Sequence, residues 1–247
     1  MPGRKRNMQL QQLLSYTRRA VSDYGMIKDG DRIAVGISGG KDSLTLLHAL
    51  SGLRRFYPEK FELLAVTVNL GYPLELSGVR KLCEELSVPF YEVSTNIREI
   101  VFDIRKEPNP CSLCAKLRKG AFNDRIKELG CNKLAYAHHK DDVIETMLMS
   151  LMYEGRFHCF SPVTYLSRAE LTLIRPLIYV PEPDIIGFAK AYELPIFKNP
   201  CPADGYTKRE YTKELIRDLM KENPLLKEHL FDAVKDGTLP DWKLPDK

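Results

Sequence analysis

Two kinds of hydrophobic spacing alternate along this chain. Short apolar runs, "DRIAVGI" (Asp31 to Ile37), "FELLAVTVNL" (Phe61 to Leu70), "VPFYEVS" (Val88 to Ser94) and "KLAYA" (Lys133 to Ala137), predict strands of a buried sheet. Between them lie stretches of helical period: Met8 to Tyr24, the segment following the first strand, "LSGVRKLCEEL", a basic stretch after Cys111, and "DDVIETMLMSLMY". This alternation predicts an α/β fold, a doubly wound parallel sheet with a leading helix, running to about Leu177. From Tyr179 the pattern changes, because Pro181, Pro183, Pro195, Pro200 and Pro202 punctuate helical stretches near Asp184 to Tyr192 and Arg209 to Lys221. We therefore expect a core domain over residues 1–178 and a helical C-terminal region over 179–247, packed on the core and finishing in a loose, Pro-interrupted end, "TLPDWKLPDK".

Composition narrows the setting. The 247 residues are 44% apolar and 28% charged, with no apolar run of membrane-spanning length and no signal segment, so a cytoplasmic protein with no membrane partner is expected. A chain of this length buries a core without staples. In a reducing compartment its six cysteines are then candidates for metal binding or thiol chemistry. The net charge of +4 is modest, and its clusters (Arg4 to Arg6, Arg18-Arg19, Lys116 to Lys119, Lys208-Arg209) suit a nucleic-acid backbone and an ordinary solvated surface equally well.

"AVGISGGKDSLTLLHAL" reads strand, glycine-rich loop, helix. Gly39 and Gly40 let backbone N–H groups approach a phosphate, Ser38 and Ser43 add hydroxyls, Lys41 adds charge, and the helix beginning near Asp42 aims its positive end at the same spot. The Walker A pattern is absent, so γ-phosphoryl transfer does not follow. A second segment, "AYAHHKDDVIETMLMSL", sets His138 and His139 at a strand end and Asp141, Asp142 and Glu145 at a helix start, where the acids also suit N-terminal capping. In an open α/β sheet both segments border one crevice. The adjacent histidines point to opposite sides of an extended segment and are not a paired metal site.

"PNPCSLCAKLRKG" places Cys111 and Cys114 three apart. A closed structural zinc site wants four ligands, and no second CxxC exists; disulfide exchange leaves the phosphate loop without a purpose. A third thiol, Cys201 between Pro200 and Pro202, changes the balance, since three thiolates can hold a [4Fe-4S] cluster and leave one iron without a protein ligand. Cys83, Cys131, Cys159, His48 and His158 read as packed residues rather than ligands.

S-G-G-K-D-S resembles the PP-loop of the N-type ATP pyrophosphatases, and H-H-x-D-D their second segment. Together with "PCSLCAKLRKG", "LIRPL" and the late "NPC", in this order from Met8 to Leu219, the chain resembles the tRNA 2-thiocytidine synthetase family. The resemblance implies ATP at Ser38, Gly39, Gly40, Lys41, Asp42, Ser43, Val68, Ala137 and His138, Mg²⁺ at Asp42, and Asp142 acting at the nucleotide site. It also implies a [4Fe-4S] cluster on Cys111, Cys114 and Cys201, tRNA as substrate, and a cysteine desulfurase or other sulfide or persulfide donor as partner. It implies adenylation of the C2 oxygen of cytidine 32, with pyrophosphate leaving into the loop and sulfur replacing AMP. Arg118, one turn beyond Cys114, would face the cluster, steady the developing oxyanion or contact tRNA phosphate. Arg175 would touch the nucleotide or sit in a salt bridge, and a homodimer is left open.

The chain departs from that pattern in "NLGYPLELSG", which lacks an acid after Leu70, and in Ala137, where relatives often carry Gly. Rival readings are thiolation of another base such as uridine, a lysidine synthetase, which shares the first two motifs but uses no CxxC, and a non-catalytic metal-stabilised tRNA-binding protein.

Overall fold

The computed structural model describes residues 9–105, 110–197, 208–237 and 239–243. Its sheet has strands β1 (Asp31–Gly36), β2 (Phe61–Asn69), β3 (Phe90–Ser94), β4 (Lys133–Ala135), β5 (Val163–Leu166) and β6 (Leu171–Ile174), in the order β3-β2-β1-β4-β6-β5. The helices are α1 (Leu10–Asp23), α2 (Lys41–Leu53), α3 (Ser77–Glu85), α4 (Pro110–Glu128), α5 (Lys140–Glu154), α6 (Glu182–Ala191), α7 (Lys208–Glu222) and α8 (Leu226–Lys235), with a π-helical turn at Glu99–Ile104.

The central strands are apolar throughout because both of their faces are covered. Along β1, Ile33 and Val35 enter one core with α1, α2 and α5, while Ala34 enters the other with the π-helical turn and α4; Leu63 and Leu64 of β2 divide the same way. Strand pairing is parallel except at the edge, where β5 runs antiparallel to β6. The expected parallel sheet is thus a mixed, mostly parallel one. The β5–β6 hairpin escaped the hydrophobic pattern because each strand is only four residues long and Tyr165 faces solvent.

Helices α6 and α7 fall where their periodicity placed them, whereas α8 was not expected; their apolar residues Phe188, Ile216, Phe231 and Val234 share one core with β1 and α2. The expected loose end is corrected at Trp242, which is buried against Tyr24 and Phe231, its indole N–H donating to the Phe160 carbonyl at 3.2 Å. An indole of that area gains more from the core than a polar end gains from freedom.

Candidate active site at the carboxyl edge of the sheet

The chain leaves β1 to build β2 and β3 on one side, then returns to place β4 on the other, so the strand order reverses between β1 and β4. Such a reversal opens a crevice at the carboxyl ends of the strands. A cleft of about 510 Å³ lies there, lined by Ser38, Asp42 and Ser43 after β1, Val66 to Val68 of β2, Tyr136 to His138 after β4, and Ala115, Arg118 and Lys119 of α4. Asp142 and Phe197 complete its wall. The expected site residues Ser38, Asp42, Ser43, Val68, Ala137, His138, Arg118 and Asp142, some read from pattern and some implied by resemblance, are thereby brought together around one space.

The loop is braced by its own hydroxyls. Ser43 Oγ donates to the Gly40 carbonyl at 3.0 Å, and the Ser38 amide lies 3.2 Å from Ser43 Oγ. Gly39 has φ +89°, a conformation that disfavours any side chain, and a Cβ there would meet the Phe197 ring at 2.6 Å. Helix α2 starts at Gly40 without a side-chain cap, which leaves its first-turn N–H groups to an incoming anion. Lys41 is placed differently from expectation: its ammonium pairs with Asp42 at 3.0 Å and Glu182 at 3.1 Å rather than lining the cleft. Against the desolvation that burial imposes, these two carboxylates hold Lys41 above the ordinary lysine range.

Helix α5 begins the opposite way. His139, almost wholly buried, accepts from the Asp142 amide, and the Asp142 carboxylate accepts from the His139 amide at 3.0 Å. The His139 ring sits between two carboxylates, 3.4 Å from Asp142 and 3.8 Å from Asp42. Its neighbour His138 faces the cleft, where burial and then Arg175 push its pKa down to about 4, so it is neutral at pH 7. Arg175 meets neither expectation: it is buried away from the cleft, donating to His138 Nδ1, Thr164 Oγ1 and the Ser161 carbonyl, with its guanidinium over the Phe160 ring. Its role is to orient His138.

Sequence reasoning missed a buried ionic network behind α5. Arg209 of α7 reaches Asp142 at 2.9 Å and Glu145 at 3.1 Å, and Lys213 reaches Glu145 and Glu182. Burial pushes Glu145 up to about 7 despite Lys213 and Arg209. Lys227 of α8 pairs with the buried Asp141. More than 60 positions separate Arg209 from its partners, and no local pattern signals such a pairing.

Two carboxylates on the cleft, Asp42 and Asp142, suit a magnesium ion that also holds phosphate oxygens. Asp42 Oδ1 is buried and accepts no hydrogen bond of good geometry, although the Lys41 ammonium lies 3.0 Å from it and 3.2 Å from Oδ2; a carboxylate so placed can turn an oxygen to a cation. Cys111 is exposed and Cys114 half-buried on the first turns of α4, just before the cleft-lining Ala115. Cys201 lies outside the described residues, and among those described no three His, Cys, Asp or Glu side chains form a metal-binding group. Cys83, Cys131 and Cys159 are buried, and burial raises their thiol pKa values, to about 11 for Cys83 and about 12 for Cys159, so none is poised as a thiolate. His48 packs its ring against Phe188 and Tyr192, whereas His158 is exposed and not packed as expected.

Comparison with known proteins agrees with this geometry. Residues 5–223 match the model of a family described as a PP-loop domain. The chain is 41% identical over 232 residues to a tRNA-cytidine(32) 2-sulfurtransferase of Geobacter sulfurreducens, covering 92% of this chain and 90% of that protein. It is 39% identical over 220 residues to the protein of the same name from Geotalea uraniireducens, covering 87% of each. Among solved structures, the U34-tRNA thiolase NcsA from Methanococcus maripaludis, with its [4Fe-4S] cluster, matches in fold with a TM-score of 0.72 at 23% identity, over 92% of this chain and 79% of that one. Loop, cleft and near full-length identity converge: the chain belongs to the PP-loop family and, within it, to the tRNA-cytidine(32) 2-sulfurtransferases.

Proposed function

We propose that this protein is an ATP-dependent tRNA sulfurtransferase that adenylates the C2 oxygen of a cytidine, at position 32, and replaces it with sulfur, releasing pyrophosphate and AMP. The observation that carries the reading is the shared cleft: the start of α2 and residues Ala115 to Phe122 of the CxxC helix α4 line one space. ATP activation and sulfur delivery then meet at the same base.

The chain's own residues divide the work. Backbone N–H groups at the start of α2, with Ser38 and Ser43, receive the β- and γ-phosphates and stabilise the charge that grows on departing pyrophosphate. Asp42 and Asp142 would hold Mg²⁺, which would neutralise phosphate charge, and His139, 3.8 Å and 3.4 Å from them, steadies both carboxylates. Val68, Ala137 and neutral His138 border the nucleotide; His138 offers a hydrogen bond without adding charge. Arg118, with its side chain on the cleft, stabilises the oxyanion that develops at the base.

Cys111 and Cys114 are set one helical turn apart, and Cys201 completes a three-thiolate donor set for a [4Fe-4S] cluster. Phe197 donates its N–H to the Gly39 carbonyl at 3.0 Å, and Arg209 holds Asp142. A [4Fe-4S] cluster held by these thiolates would supply the sulfur for the transfer, and a cysteine desulfurase or another sulfide or persulfide source in the cytoplasm would be its donor.

Anaerobic protein, unmodified tRNA transcript, ATP and a sulfide source test the reaction. One AMP and one pyrophosphate per 2-thiocytidine are expected from protein that is brown and contains iron and labile sulfide. A colourless zinc protein that releases no AMP contradicts the proposal.

A further inference from the structure

Helix α4 carries a feature the reaction as proposed does not use. Its second half is anchored by the buried Phe122 and Ile126, but from Cys111 to Gly120 no residue is fully buried. Lys116, Lys119, Gly120 and Asn123 stand at positions i, i+3, i+4 and i+7, so they form one strip along the helix. That strip lies beside the cleft face, and Lys119 borders both.

Three observations single it out. Among the described residues the salt bridges made by α4 belong to Arg125 and Lys127, at its far end, whereas Lys116, Arg118 and Lys119 make none. Gly120 sits inside the helix, exposed, with nothing within 4 Å of where a Cβ would stand. Alanine would be accommodated there and would favour the helix, so the fold has no use for a glycine at this position. Asn123 next along the strip carries an amide whose NH2 can donate to a phosphate oxygen, while its Oδ1 is shielded from solvent and takes no part.

We propose that this strip is a phosphate rail: the tRNA backbone runs along Lys116, Gly120 and Asn123, with Lys119 at the turn into the cleft, while the target nucleotide enters between α4 and the phosphate loop. The inference rests on the proposed tRNA substrate and adds where the tRNA lies. Unpaired cations attract phosphates and release counterions. A bare helix backbone at Gly120 admits a sugar-phosphate chain to closer contact than a side chain would allow. Enzymes that act on a base must draw it from its stack, and a held backbone beside the pocket fixes the point of extrusion.

The test measures binding of unmodified tRNA transcript to the anaerobically purified protein across a salt series, for the wild type and for Lys116→Ala, Lys119→Ala, Gly120→Ala and Gly120→Gln, with Lys60→Ala at the opposite edge of the sheet as control. The rail predicts that each α4 lysine variant loses about 0.7–0.9 from the slope of log K against log salt, with Lys60→Ala unchanged. It predicts opposite signs for Gly120→Ala: a higher unfolding temperature together with weaker tRNA binding, and weaker binding still for Gly120→Gln.

Wild-type slope and affinity in the Lys116, Lys119 and Gly120 variants overturn the rail and leave the sulfurtransferase reading intact. The same variants weakening a sulfur-carrier protein but not tRNA assign the strip to that partner and also overturn it. A wild-type protein without measurable tRNA affinity overturns the rail and the proposed substrate together.

Discussion

Two helix N-termini point into one crevice and are finished in opposite ways. Helix α5 is closed by its own residues, with His139 and Asp142 exchanging bonds in a reciprocal cap. Helix α2 begins at Gly40, whose own N–H donates to Ser38 Oγ at 3.4 Å but which has no side chain to cap the N–H groups of the first turn. The two ends share the same dipole, so field alone does not separate them. What separates them is whether the orphan donors are already used. The closed end supplies one carboxylate, Asp142, to the cleft, and the open end waits for an anion.

The strongest way to break that contrast is to ruin the open end. Gly39→Val puts a branched side chain at φ +89°, costing about 1–2 kcal/mol, and drives it into the Phe197 ring. ATP-dependent AMP release should fall by about 100-fold or more, as expected when reacting groups are displaced by an ångström. Near-normal turnover would mean that the loop does not hold phosphate.

Breaking the closed end should cost stability as well as activity. Asp142→Ala removes the acceptor for the His139 amide and the partner of Arg209, and about 1–3 kcal/mol of unfolding free energy should be lost in urea titration. A variant as stable as the wild type would show that the cap contributes little.

Behind that cap, Glu145 provides a pH test. Its carboxyl titrates at about 7 when folded, above the ordinary value of 4.5. Between those limits the folded chain keeps a proton that the unfolded chain has lost. The stabilisation is therefore complete below the ordinary value and is lost as pH rises through about 7, on the order of 1–3 kcal/mol. Glu145→Gln should flatten this part of the stability profile between pH 5 and 8, read from unfolding temperatures. An unchanged profile would place the titration elsewhere.

The smallest effect sharpens the comparison most. Gly40→Ser gives α2 the side-chain cap it lacks, and the nearest atom to the new Cβ, Ser38 Oγ, lies at an acceptable 3.6 Å. Stability should rise by a few tenths of a kcal/mol, about the difference between these caps, while the KM for ATP increases. Improved stability without weaker ATP use would argue that the open end is incidental.

How much of this was legible in the chain depended on the range of the interaction. Ile33 to Val35, apolar on consecutive positions, announced a strand covered on both faces, and Ser38 to Ser43 announced an anion site, because each signal is local. The cleft-lining positions Val68, Ala137 and His138 came from resemblance to a family, and the fold brings them together. Phe197 against Gly39, Arg209 on Glu145 and Trp242 under Phe160 join distant segments, so no spacing marks them. The pairing of Lys41 went unread for the same reason: its partner Glu182 stands at the start of a helix far along the chain. Arg175, read as a nucleotide contact or a salt-bridge partner, donates to His138.

The central claim is that the open end of α2 and the thiols of α4 serve one reaction on one base. Mass spectrometry of nucleosides in total tRNA, from cells lacking this gene and complemented with the wild type, Gly39→Val or Cys111→Ala, tests it most directly. The account predicts that 2-thiocytidine vanishes without the gene, returns with the wild type, and stays absent with either variant, while other thionucleosides are unaffected. Persistence of 2-thiocytidine in the deletion, or its full return with either variant, would contradict it.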